Sequence, residues 1–234
     1  MARFNVIPQS TFDELQTEAG VLLSSFNPAS PSAPADADII CATTGGINVS
    51  CVPTYSDYGE DVDNCPNNMK ELKHLDGWEC KISTTCLGTS ASLIKLSLGA
   101  ADLTDQSTYA LTSDTTVVVG KTYYTRSGTS PNYTYTVVTN PQQSALGTYY
   151  EKTDSGKVLP RRDLSQSDFT DLWWVGDRAD GGLVAVKLIN GLSTGGFSLQ
   201  TTKNGKGQIS LEITGHVSIN SQSVMPMEFY SIGA

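Results

Sequence analysis

The sequence predicts a mainly-β protein: a β-sandwich or partial barrel with one flanking α-helix, plus a small all-β module inserted into it. Three observations carry that expectation. From Gln208 to Ile219, Ile209, Leu211, Ile213, Val217 and Ile219 fall on one face, while Gln208, Ser210, Glu212, Thr214, His216 and Ser218 fall on the other. That period of two belongs to a half-buried strand, whose successive side chains leave on opposite sides. Only one stretch, Ser90 to Leu98, has a strong helical stripe. Finally, 17% of residues are charged, against a usual share of about 25%, so Ser, Thr, Asn and Gln supply much of the polar surface.

The elements follow in order. Thr11 to Glu14 reads as a capping box opening a short helix that stops by Gly20, because a Thr with Glu three residues on satisfies the first free N–H groups. Val21-Leu22-Leu23 begins a strand, the Pro- and Ser-rich stretch Asn27 to Pro34 is a loop, and Asp36 to Thr43 is a further strand candidate. Gly45-Gly46 precedes the alternating run Ile47, Val49, Cys51. From Tyr55 to Asp76 the pattern is lost in an acidic, turn-rich loop, and a loop of that length is generally functional or disordered. Alternation resumes from Trp78 to Leu87, with Cys80 and Cys86 sharing parity with Trp78, Ile82 and Thr84. Thr89 or Ser90 then caps a helix through Leu98, with Leu93, Ile94 and Leu98 on one side and Gly99 at its end.

Composition changes near Leu103. Seven of the ten tyrosines lie between Tyr109 and Tyr150, and Thr, Ser and Val fill most of the rest. Lys121 to Arg126, Asn132 to Thr139 and Thr148 to Glu151 read as short strands, since Tyr, Thr and Val fit a pleated surface. Residues 104–155 are therefore expected to form an inserted module, and 1–103 with 156–234 a discontinuous main domain. Beyond it, Ser165 to Asp168 is a second capping box, and Leu183 to Ile189 is a strand. Phe197 to Lys203, the Asn204-Gly205 turn and Gln208 onward form a hairpin. Val224 to Ile232 is an extended terminal arm.

The formal net charge of −9 argues against nucleic-acid binding, which needs clustered Lys and Arg. It suits a surface that nucleic acid must pass without sticking. The first residues lack the apolar stretch of a signal peptide, and no run approaches the ~20 apolar residues of a membrane span. Cys41, Cys51, Cys65, Cys80 and Cys86 have no metal-site spacing. An odd count without an export signal favours reduced thiols, with Cys80 and Cys86 as small core hydrophobes.

No catalytic constellation is present: no nucleophile elbow, no zinc-protease motif, no phosphate-binding loop and no dinucleotide fingerprint. His216 lies on a polar strand face without an adjacent nucleophile, which reads as a solvated or interface histidine. Asp57, Glu60, Asp61 and Asp63 lack the register of a calcium loop, so they read as a solvated or partner-contacting loop. Asp177 to Gly182 is first a turn. Neither an enzyme nor a cofactor is expected.

Three blocks of the chain are familiar. Gly45-Gly-Ile-Asn-Val joins Tyr58-Gly-Glu-Asp-Val-Asp-Asn-Cys-Pro-Asn-Asn; Lys70-Glu-Leu-Lys continues through Asp76-Gly-Trp; Leu172-Trp-Trp-Val-Gly-Asp precedes Asn190-Gly-Leu-Ser-Thr-Gly-Gly-Phe and Gly205-Lys-Gly-Gln. Together they resemble the major tail tube proteins of long-tailed, non-contractile bacteriophages of Gram-positive hosts, over most of residues 1–103 and 157–234. The resemblance implies a sandwich-like tail-tube fold whose subunits form hexameric rings. The rings stack into a tube around a tape-measure protein, meet the tail terminator and distal tail proteins, and conduct DNA from capsid to host. It implies a virion-tail location after assembly in the host cytoplasm, with no membrane anchor.

The same resemblance makes Asp57, Tyr58, Gly59, Glu60, Asp61, Asp63 and Asn64 a ring-stacking loop. It makes Glu79, Lys81 and Glu212 candidates for the lumen wall, with parity alone leaving open which of them face it. The insert resembles small Tyr-rich modules of phage and bacterial surface proteins, which would decorate the outside and contact host surfaces or glycans. Two other readings stay open: an adhesin or carbohydrate-binding β-sandwich, and a hydrolase on a β scaffold. Within the tube class, a tailocin or secretion tube is a further possibility.

Overall fold

The computed structural model describes residues 7, 8 and 10–233. In chain order, the single turn α1 (Ser10–Asp13) leads to β1 (Val21–Leu23), β2 (Ala42–Asp57), β3 (Lys73–Leu87) and helix α2 (Ala91–Leu98). Next come β4 (Ala101–Asp105), β5 (Thr108–Leu111), β6 (Tyr124–Thr129), β7 (Asn132–Val137), β8 (Tyr150–Thr153) and β9 (Gly156–Pro160). The chain then returns through β10 (Thr170–Asp177), β11 (Leu183–Ser193), β12 (Leu199–Gln200), β13 (Gln208–Thr214) and β14 (Met227–Ile232). The protein is mainly β, with antiparallel sheets and few helices, as the strand alternation predicts. It divides into two compact units, Asp102–Leu159 and the remainder on either side.

The larger unit is sandwich-like. One layer runs β1-β10-β11-β14, and the other runs β2-β3-β13 with β12 on the far edge of β13. β11 belongs to both. Leu183 to Leu188 pair with β10 and β14, whereas Leu192 and Ser193 pair with Thr214 and Ile213 of β13. Between these stretches Asn190 adopts φ +48°, a left-handed conformation that Asn tolerates better than most residues. At Gly191 a side chain has no room: a Cβ would stand 2.9 Å from Ile213 Cγ2 and 3.0 Å from the Thr170 carbonyl.

The core lies between the layers. Leu22, Cys80, Ile82, Cys86, Leu172, Val186, Leu188, Ile209, Leu211, Ile213 and Met227 bury their side chains there, joined by Leu93 of α2. The alternation explains the order: Cys80, Ile82, Thr84 and Cys86 are the inward residues of β3, and Ile209, Leu211 and Ile213 those of β13. Ser90 caps α2 by accepting from the Leu93 N–H, and Gly99 ends it at φ +72°. Leu93 and Ser97 bury, with Leu96 packed on the core, so the helix presents a slightly different stripe from the expected Leu93, Ile94 and Leu98. A separate cluster, Leu23, Trp173 and Ala185 with Phe26, Val175 and Tyr230, covers the other face of the β10–β11 layer.

Several expectations are corrected. The helix expected up to Gly20 is one turn, because Gln16 bridges to Arg178 and Thr17 donates its N–H to the Asp177 carbonyl. The strand expected over Asp36 to Thr43 is a turn at Asp36 to Asp38 and an isolated bridge from Ile39 to Leu23, and β2 starts only at Ala42, absorbing Gly45-Gly46 as an irregularity in its register. The expected loop from Tyr55 narrows, since Tyr55, Ser56 and Asp57 pair with Leu75, His74 and Lys73. The long strand expected to reach Ile219 stops at Thr214, after which the Gly215 N–H donates to the Cys80 carbonyl and the His216 N–H to the Ile189 carbonyl. Val217 and Ile219, expected inward, are consequently exposed, as is Trp78. The terminal arm is instead strand β14 on β11. Of the cysteines expected to be reduced, Cys41 and Cys86 form a disulfide, because β3 and the approach to β2 bring them together in the core.

The smaller unit has its own core of Tyr123, Leu146 and Tyr149, with Val117, Val138 and Ala145 against it. Its sheet runs β5-β8-β6-β7, and β4 pairs with β9, so the chain enters and leaves side by side.

Candidate functional site

β3 loses its second neighbour at Lys81, which is the last residue paired with β13. From Cys80 outward β2 and β3 pair only with each other, as a two-stranded arm running to the Asp57–Lys73 rung. A lone two-stranded ribbon is marginally stable in water. This one also exposes Val52, Tyr55, Tyr58, Val62, Met69, Leu75 and Trp78. Apolar surface gathered on one projecting element marks an interaction site. β2 is besides an edge strand of its sheet, and it contains Pro53, a residue tolerated in sheets chiefly at edges.

The tip is organised by Asp57. Its carboxylate accepts the N–H groups of Gly59 and Asn68, both at 3.0 Å, and lies 3.4 Å from Lys73 Nζ. The Gly59 hydrogen bond, followed by those from Asn68 and Lys73, holds the Asp57 carboxyl below its ordinary range. Gly59 is buried at the centre of the tip, where a Cβ would come within 2.8 Å of Leu72 Cδ1. Tyr58 stacks on His74 with ring centroids 5.6 Å apart. Glu60, Asp61, Asp63 and Asn64 are exposed around the turn, with Asn64 at φ +62°. Of the seven residues assigned to a stacking loop, Asp57 and Gly59 thus build the tip, and Tyr58, Glu60, Asp61, Asp63 and Asn64 form its surface.

The outward face of β2, β3 and β13 is polar. Glu79 and Lys81 lie on it, alternating with the buried residues of β3, and Glu212 projects from β13 beside them. Lys81 Nζ is 2.5 Å from Glu79 and 3.6 Å from Glu212. The Glu79 hydrogen bond, the largest cause, raises the Lys81 pKa. The structure therefore brings all three residues together, with two carboxylates on one ammonium. Around them stand Asn48, Ser50, Ser83, Ser210 and Thr214, and a shallow depression of about 530 Å³ opens between Gly45-Gly46 and Glu212.

His216 packs at the turn between β11 and the end of β13. Its ring lies edge-on to Phe169, and Nδ1 sits 3.3 Å from the Asn190 carbonyl while Asn190 Nδ2 donates to the His216 carbonyl. These contacts hold the turn of β11. Among the described residues no group of three His, Cys, Asp or Glu side chains is placed to hold a metal ion. No described helix is long and apolar enough to cross a membrane.

In the smaller unit the tyrosines divide between two tasks. Tyr123 is fully buried, donates to Asp114 at 2.6 Å and accepts from the Val118 N–H. Lys121 lies 2.8 Å from Asp114 and 2.9 Å from Glu151, and those hydrogen bonds push its pKa up. On the sheet, Tyr109 and Tyr135 stack with centroids 3.8 Å apart, with Tyr124 and Tyr150 edge-on to them. Arg126 lies over Tyr133 and Tyr150. The sequence places these tyrosines in one segment but not on one face; the antiparallel pairing of β5, β8, β6 and β7 does that.

No protein-family model matches the chain, and no curated protein does.

Proposed function

We propose that the protein is a structural subunit that polymerises as stacked hexameric rings into the tail tube of a long-tailed, non-contractile bacteriophage. The observation that carries the reading is the β2–β3 arm, a ribbon with apolar residues on view and no core of its own. Such an element is stabilised by what it docks on, and in a homopolymer the dock is a second copy. The unpaired edge of β2 supports lateral closure of sheets between neighbours, which turns an aggregation liability into assembly. The Glu79–Lys81–Glu212 face, rich in Ser, Thr and Asn, suits a lumen wall: its carboxylates outnumber its ammonium groups, and DNA gains little there from counterion release. The tape-measure protein, the tail terminator and the distal tail proteins are the partners this reading entails. The smaller unit, with its aromatic face, would stand on the tube's exterior.

Negative-stain electron microscopy across a concentration series tests the proposal. Hollow rings or tubes are expected. Monomers at every concentration that also bind immobilised glycans would replace it with the second reading, an adhesin, which the Tyr109–Tyr135 stack and its neighbours favour because rigid aromatic faces recognise partners at low entropic cost.

A further inference from the structure

Cys51 and Cys80 are direct cross-strand partners, and their sulfurs are 3.1 Å apart. Directly opposed residues of antiparallel strands have Cα atoms about 4.5 or 5.5 Å apart, and both spacings lie within the range a disulfide spans. The two thiols differ in access. Cys80 is fully buried, while Cys51 is half-buried and touches Met225 Sδ at 3.7 Å. Burial, with the Cys51 contact second, pushes the Cys80 thiol up to about 12. The third free thiol, Cys65, lies in the arm's tip against Met69.

We propose that Cys51 and Cys80 are a second disulfide site, closed by exchange with a low-molecular-weight disulfide and stapling the root of the β2–β3 arm. The accessible Cys51 thiolate attacks one sulfur of the small disulfide, whose S–S bond breaks and releases one thiol. The deprotonated Cys80 sulfur then attacks Cys51 Sγ and expels the second small thiol. Two protein thiols are oxidised, one small disulfide is reduced to two thiols, and the two protons leave with them. The location gives the bond its consequence. Cys80 is where β13 stops supporting β3, since its carbonyl accepts from Gly215 rather than from a continuing strand. A covalent link there makes the arm a closed loop whose ends cannot separate when its rungs fray. The inference rests on thiol geometry alone and holds whatever the arm docks against.

The full-length chain, with Cys41–Cys86 closed, is incubated with oxidised glutathione at mildly alkaline pH, denatured and alkylated. Before oxidation Cys51, Cys65 and Cys80 all take label. After it, Cys51 and Cys80 are expected to take no label and carry no glutathione, while Cys65 either takes label or carries one glutathione; peptide mapping should join Cys51 to Cys80, and hydrogen exchange along the arm should slow. In Cys80→Ser, glutathione should remain trapped on Cys51. Three labelled thiols after oxidation, or a map joining Cys51 or Cys80 to Cys65, would overturn the proposal. The wild-type map decides the question even if the variant does not fold.

Discussion

Asp57 and Lys73 face each other across the last rung of the β2–β3 arm, carboxylate and ammonium 3.4 Å apart. The same carboxylate accepts from Gly59 and Asn68, so one side chain closes the ribbon and folds its tip. Substituting Asp57→Asn should leave the sandwich intact and loosen residues 58–72, read as faster proteolysis within the tip at an unchanged global transition.

The tip should also loosen with acid. Hydrogen bonds from Gly59 and Asn68 lower the Asp57 pKa below its ordinary value of 3.8. A depressed carboxyl contributes stability that is present above the unfolded value and is lost as pH falls through the folded one. Amide resonances of Gly59 and Asn68 followed by NMR should hold their shifts from neutral pH down to about 4 and move below it. A midpoint above the ordinary value would contradict this account.

Ile213 tests the core. It is fully buried in β13, and its Cγ2 lies against Gly191 where β11 passes between layers. Ile213→Ala should cost about 2–5 kcal/mol in urea unfolding. Ser210→Ala, on the polar face of the same strand, should change stability by less than about 0.5 kcal/mol.

Charge at the tip tests assembly. Reversing Glu60, Asp61 and Asp63 to Lys places three positive charges on residues that are exposed around the turn. The variant should fold, with an unchanged circular dichroism spectrum, and fail to form tubes under the microscope. Normal tubes would remove the tip from the ring-stacking interface.

Excising the smaller unit tests independence. The Arg161 N–H donates to the Ala100 carbonyl at 2.9 Å, so a short Gly-Ser link can join the chain across the gap left by residues 102–159. The shortened protein should unfold cooperatively. In the intact chain, Tyr123→Phe should lower only the transition of the smaller unit, because the lost hydroxyl serves Asp114 and Val118 there.

Local chemistry made part of this fold legible. The capping box at Ser165 and Asp168 is present with both of its hydrogen bonds, though it starts a 3₁₀ turn. The inward set Ile209, Leu211 and Ile213 is read directly from alternation, and the change in composition near Leu103 lies beside the division at Ala101 and Asp102. What alternation does not encode is where a neighbour ends. Val217 and Ile219 keep the parity of buried residues, but Gly215 turns toward β3 and the strand stops. β10 carries no alternation signal either, since Leu172-Trp-Trp-Val buries residues on both faces and shows no period of two. At the arm, Tyr55 to Asp57 look like loop because they show no alternation of apolar residues, and only pairing with Leu75, His74 and Lys73 makes them strand. The approach of Glu212 to Lys81 likewise depends on register between β3 and β13, a long-range property that no single stretch carries.

A strand shared by both layers has a mechanical consequence. Because β11 pairs with β10 and β14 at its start and with β13 at its end, sliding one layer over the other must tear Leu192 from Thr214 and Ser193 from Ile213 while the peptide chain itself stays taut. Two separate sheets joined by slack loops would yield to shear by slipping at their greasy interface. Here the first resistance is a set of hydrogen bonds pulled together along the strand direction, with Asn190 and Gly191 as the corner where the strain concentrates. A wall tiled from such subunits would pass sideways force from one face to the other through a single continuous backbone.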